Sequence, residues 1–184
     1  MLNTSDRFGL VSIILHWLLA LAIFGLFGLG WYMVDLTYYD ALYNTLPSMH
    51  KSLGILLAIV FGLSVIWRII NQKPQPLDSI NQLEIIAARV AHFLLSTLIA
   101  LIVISGYLIP TAKGAGISVF EWFTVPAIIA ELPGQEDIAG KSHKYLSYAI
   151  IGLAVLHTGA ALKHHFIDKD DTLKRMLRLP SDKN

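Results

Sequence analysis

His143 and His157 stand fourteen residues apart on one apolar run, Ser142-His-Lys-Tyr-Leu-Ser-Tyr-Ala-Ile-Ile-Gly-Leu-Ala-Val-Leu-His157. Imidazole is a strong metal ligand, so the spacing of these two residues is informative. Fourteen residues make almost four turns of an α-helix, and both rings therefore project from nearly the same face. The rise between them is about 21 Å at 1.5 Å per residue, most of the way across a hydrocarbon core of roughly 30 Å. A helix built this way can ligate one metal centre near each side of a membrane, given opposing ligands from its neighbours.

The rest of the chain is suited to supply them. Of its 184 residues 55% are hydrophobic and only 15% charged, and mean hydropathy is +0.60, too apolar for an ordinary soluble domain. Four stretches lack Asp, Glu, Lys and Arg: Phe8–Val34, Ser52–Trp67, Val90–Ala112 and Tyr145–Leu162. Each approaches the 17–25 residues of a transmembrane helix, and none shows the polar face a water-soluble bundle requires. The expected fold is all-α, an integral membrane four-helix bundle forming one unit over residues 1–184. Expected helices run from about Gly9 to Met33, Met49 to Ile70, Arg89 to Ile109 and Lys141 to His165. Asp6 is the expected cap of the first. Leu77–Ala88 reads as an interfacial helix leading into the third, which Pro110 closes. Phe120-Glu-Trp-Phe123, in the long connection from Thr111 to Gly140, reads as a short amphipathic helix on the bilayer surface.

The absence of cysteine excludes disulfides, iron–sulfur clusters and covalent c-type haem. A net charge of +1 offers no basic field for nucleic acid, and no such partner is expected. Only Arg7 precedes the first apolar run, with no small-residue cleavage site, so that run reads as a retained helix. Four spans put both termini on one side. That side, with the second connection, holds Arg7, Arg68, Lys73, Arg89, Lys163, Lys169, Lys174, Arg175, Arg178 and Lys183. The other holds Lys51, Lys113, Lys141 and Lys144. Ten basic residues against four place both termini in the cytoplasm.

Ionisable side chains at membrane depth are functional candidates, because burying one without a partner is costly. His16 and His157 lie about two turns inside their helices from the cytoplasmic side. His50 and His143 sit at the outer ends of theirs. Pairing by depth joins His16 with His157 and His50 with His143. Two stacked bis-imidazole sites are what a di-haem b cytochrome requires. Two histidines per level, with no cysteine and no well-placed carboxylate, suit tetrahedral zinc poorly. Gly54, with Gly25 and Gly28, offers room for a flat macrocycle, although membrane helices also use glycine simply to pack. His92, at a depth comparable with His16, competes for the inner position. Alternatively it joins Arg89, three residues earlier, in binding a quinone carbonyl or a haem propionate, or in anchoring the helix at the headgroups. His164 and His165 read as interfacial and solvated.

Ser12-Ile-Ile-Leu-His16-Trp17, Met49-His50-Lys-Ser-Leu-Gly54, Arg89-Val-Ala-His92 and Ser142-His143-Lys-Tyr-Leu resemble the bacterial cytochrome b561 family. So does the closing Leu156-His157…Lys163-His-His-Phe…Lys169-Asp-Asp-Thr-Leu-Lys-Arg-Met176. The resemblance covers essentially the whole chain. It implies two haem b groups held by His16, His50, His143 and His157 from the first, second and fourth helices, and it disfavours His92. It also implies a superoxide:ubiquinone oxidoreductase activity, with superoxide oxidised outside and ubiquinone reduced within the lipid bilayer.

Lys51 and Lys144 each follow an outer histidine, and Lys113 and Lys141 flank the same end. Together they could draw superoxide toward the outer haem, or bind propionates and lipid headgroups. Arg89, His92 and His164 are the candidates for ubiquinone. The main alternative is a haem b subunit passing electrons between a partner dehydrogenase or soluble cytochrome and the quinone pool. A haem-free structural or transport protein is a third class, which a red purified protein rules out.

Overall fold

A computed structural model describes residues 2–77 and 79–177. Arg178 and Lys183, counted above on the cytoplasmic side, lie outside the described residues. Four long helices dominate: α1, Leu10–Met33; α2, Thr45–Ile70; α3, Gln82–Thr111; and α4, Gln135–Lys163. The shortest has 24 residues, about 36 Å at 1.5 Å per residue, enough to cross a bilayer core. All four have the length and apolarity of membrane spans, the last extending to Asp168. The expected bundle is therefore present.

Packing is most extensive between α1 and α2 and between α3 and α4, with α2 against α3 and a smaller α1–α4 contact closing the ring. Few side chains are enclosed, among them Ile13, Leu19, Leu57, Ile99 and Ile150. Large apolar residues such as Ile69, Phe93 and Leu156 instead face outward. In water this would be an aggregation surface; in lipid it is the solvated one.

Several boundaries differ from expectation, each for a local reason. Asp6 does not cap α1. Gly9 holds the cap position without a side-chain cap, and Asn3 Oδ1 accepts from the Gly9 N–H and the Ser12 hydroxyl, both at 2.7 Å. α2 begins at Thr45, with Pro47 in the first turn, where its missing N–H costs nothing. The helix expected over Leu77–Ala88 is part of α3. The Asn81 side chain accepts from Glu84 N at 2.9 Å, so a capped helix starts at Gln82 and runs unbroken into the membrane. Pro110 falls in the last turn of α3 rather than after it.

The largest departure is the aromatic loop. Phe120-Glu-Trp-Phe123 is not helical but the turn of an antiparallel hairpin, β1 (Ile117–Val119) with β2 (Phe123–Val125), pairing Ile117 with Val125. The β-branched Ile117 and Val119 on one arm, and Phe123, Thr124 and Val125 on the other, favour strands. Phe120 and Glu121 adopt left-handed conformations (φ 48° and 62°) at the turn. Gly116 is required at the base, where a Cβ would lie 2.8 Å from the Val125 carbonyl oxygen. Ser52 of α2, 1% exposed, accepts from Phe120 N at 3.2 Å and seats the hairpin over the outer end of the bundle.

At the opposite end, α4 passes into a π-helical turn, His164–Asp168, and then α5, Thr172–Leu177. This tail folds back. Trp17 Nε1 donates to the Met176 carbonyl at 2.9 Å, and Arg175 donates to the carbonyls of Asp6 and, at 2.9 Å, Gln75. Trp67 Nε1 donates to Ser12 Oγ at 2.9 Å, joining α2 to α1. The amino-terminal segment, the α2–α3 connection and α5 therefore form one clasp at the inner end of the bundle.

Candidate functional site

At the outer level, α2 and α4 bring His50 and His143 together, ring centres 6.1 Å apart and edge-on at an interplanar angle of 80°. At the inner level, α1 and α4 bring His16 and His157 to 6.4 Å at 68°. Both pairs are those expected from depth. A metal held between two opposed imidazoles by bonds of about 2 Å, with about 1 Å more to each ring centre, sets the centres about 6 Å apart. Both pairs meet that distance. His92 of α3 also reaches the inner level, but its ring centre is 5.0 Å from that of His157, too close for ligation from opposite sides of one iron.

The surroundings suit a flat apolar ligand. A cavity of about 190 Å³ opens between α1 and α2, lined by Ala22, Gly25, Leu53 and Leu57 among others. A Cβ added at Gly25, Gly28 or Gly54 would meet no atom within 4 Å. Elsewhere glycine seats the ligand rings directly: a Cβ at Gly30 would stand 3.2 Å from His50 Cε1, and one at Gly106 2.9 Å from His143 Cε1. His143 Nδ1 lies 3.0 Å from the Ile102 carbonyl oxygen. A carbonyl only accepts, so Nδ1 carries the proton and Nε2 keeps the lone pair for a metal. His50 Nδ1 is buried without a partner among the described residues.

Of the outer lysines, Lys51 and Lys144 are exposed and form no ion pair among the described residues. Lys113 forms an exposed ion pair with Glu136 at 3.1 Å.

The inner side holds more than expected. Arg68, read from sequence only as one of ten cytoplasmic charges, reaches back from α2 so that Nη1 donates to Ser96 Oγ at 3.2 Å. Arg89 is exposed, with no hydrogen bond or ion pair among the described residues. His164 is not solvated as expected. Its side chain is 14% exposed, and Nδ1 lies 2.7 Å from Asp170 and 3.2 Å from Asp168. Burial pushes the Asp170 carboxyl up, but hydrogen bonds from Thr172 and His164 outweigh it and hold the group below its ordinary value. Lys163 bridges Glu84 at 2.8 Å and Asp168 at 2.7 Å, tying the first turn of α3 to the end of α4. The Glu84, His164 and Asp168 ligand atoms gather within 4.8 Å, but the Lys163 ammonium already bridges both carboxylates. His165 Nδ1 is buried and unpartnered among the described residues.

Comparison with known proteins agrees with this architecture. Residues 7–179 match the family described as prokaryotic cytochrome b561. The chain is 50% identical over 175 residues to cytochrome b561 homolog 2 of Escherichia coli K12, covering 95% of this chain and 93% of that protein. The chain belongs to the prokaryotic cytochrome b561 family.

Proposed function

We propose that this bacterial membrane cytochrome carries electrons through two haem b groups, oxidising superoxide at the periplasmic face and reducing ubiquinone in the inner membrane. Family membership alone supports haem b and membrane electron transfer. The observation that carries the finer reading is the pair of opposed imidazole sets, at 6.1 and 6.4 Å, about 21 Å apart along α4. Haem held between the imidazoles of each pair would supply a one-electron carrier with no position left for oxygen.

The chain's own residues do the rest. His50 and His143 hold the outer group, His16 and His157 the inner one, and α4 fixes the distance between them. Lys51 and Lys144 attract a small anion to the outer rim. Two superoxide ions give up one electron each and leave as dioxygen; one ubiquinone takes both electrons and two protons. Arg89, His92 and His164 line the inner approach where the quinone carbonyls need donors, joined by Arg68 and His165. The bond of His164 to Asp170 gives it a route to cytoplasmic protons. The charge asymmetry places the termini, and this side, in the cytoplasm.

Purified protein in detergent, given superoxide and ubiquinone, is expected to form one ubiquinol per two superoxide ions consumed. No ubiquinol from superoxide, with reduction by a soluble cytochrome or dehydrogenase instead, would establish the partner-subunit alternative. Lys51→Gln with Lys144→Gln is expected to lower the superoxide rate about tenfold at low salt and to flatten its ionic-strength dependence. Rates that ignore both salt and these substitutions would remove the lysines from the mechanism.

A further inference from the structure

Helix α3 supplies none of the four assigned ligands, yet one of its faces forms a socket for His143. Ile102, Ser105 and Gly106 lie at i, i+3 and i+4 and so share that face. The Ile102 carbonyl accepts from Nδ1–H at 3.0 Å. Ser105, 6% exposed, donates to the same carbonyl at 3.1 Å and presents its oxygen 3.3 Å from Nδ1. Because Nδ1 carries the proton, the serine hydroxyl can only accept from it, and the N–H is shared between carbonyl and hydroxyl. Gly106 closes the socket: a Cβ there would stand 2.9 Å from Cε1 and 3.2 Å from Nδ1. The opposing ligand has nothing equivalent, since His50 Nδ1 lacks a partner among the described residues.

We propose that Ser105 and Gly106 are positioning residues that set the reduction potential of the outer haem through His143. This rests on the ligand assignment above. A hydrogen bond from Nδ1–H makes an imidazole a more basic ligand, which favours the oxidised iron and lowers the potential. Withdrawing one acceptor raises it. Gly106 lets the ring approach α3 closely enough for both acceptors to act, and a methyl group there displaces it.

The test is a potentiometric titration, with low-temperature electron paramagnetic resonance, of the parent, Ser105→Ala, Ser105→Thr, Gly106→Ala and His143→Ala. Haem content per chain is measured for each. Ser105→Ala is expected to keep all its haem and change the reduction equilibrium of one haem three- to tenfold. That is an upward shift of about 30–60 mV at 59 mV per decade for one electron. The haem that moves is the one missing in His143→Ala, and the other stays in place. Ser105→Thr restores the parent value, and Gly106→Ala alters the resonance of the same haem. Unchanged potentials and resonance in Ser105→Ala, or equal shifts of both haems, would overturn the inference. A His143→Ala protein with its full low-spin haem complement would overturn the ligand assignment instead, so the two failures are distinguishable.

Discussion

His143→Ala is expected to lose one of two low-spin haem signals and to reduce superoxide oxidation by more than about a hundredfold. Changes behind a metal ligand typically cost about 10–100-fold in affinity or activity, and removing the ligand itself exceeds that. The reason is geometric. The ring centres of His143 and His50 are 6.1 Å apart, and neither alone can close both sides of an iron. His50→Ala should therefore match His143→Ala, and the double variant should be no worse than either, because residues acting as a unit are not additive. The inner signal should persist in all three, since His16 and His157 share no ligand with the outer pair. Optical and paramagnetic resonance spectra of the purified variants check this. A double variant much more impaired than either single one would mean that the two residues serve separate sites.

The second large effect concerns stability. Gln135, at the first position of α4, is 7% exposed. Its Nε2 donates to the Leu108 carbonyl at 3.0 Å and the Ile129 carbonyl at 3.3 Å, and its Oε1 accepts from Leu132 N at 3.3 Å. One side chain thus joins α4 to the end of α3 and to the loop between them. Gln135→Leu keeps the bulk and removes all three bonds. At about 1 kcal/mol each, the loss is about 3 kcal/mol, or roughly 6–12 °C in the unfolding midpoint. Thermal unfolding in detergent measures it, with haem content as a parallel readout. A midpoint within 2 °C of the parent, to order of magnitude, would show that water replaces these bonds freely.

What the sequence disclosed follows from how strongly each feature is constrained. The four spans were legible because a bilayer forbids charge over about 20 residues, and the charge-free runs are that long. The histidine pairs were legible because helical rise converts sequence position into depth. Details at helix ends obey weaker rules. Asn81 and Glu84 form a capped helix start, yet a polar stretch after two prolines does not show where that helix begins or that it runs unbroken into the span. The two arms of the hairpin carry strand-favouring residues over only three positions each, and the aromatic cluster at the turn mimics an amphipathic helix. Contacts far apart in sequence left no signal. Lys113 meets Glu136, and Arg68 reaches Ser96, only because two helices are adjacent. The acceptor behind His143 is a backbone carbonyl at Ile102, which any residue type would supply.

The central claim is that His157, not His92, completes the inner site, and that each chain carries two haem groups. Haem per chain, from reduced-minus-oxidised spectra of the parent beside His157→Ala and His92→Ala, tests it most directly. The account predicts two haems in the parent, one in His157→Ala and two in His92→Ala. One haem or none in the parent, or loss of a haem on removing His92, would contradict the pairing and the transmembrane electron path built on it.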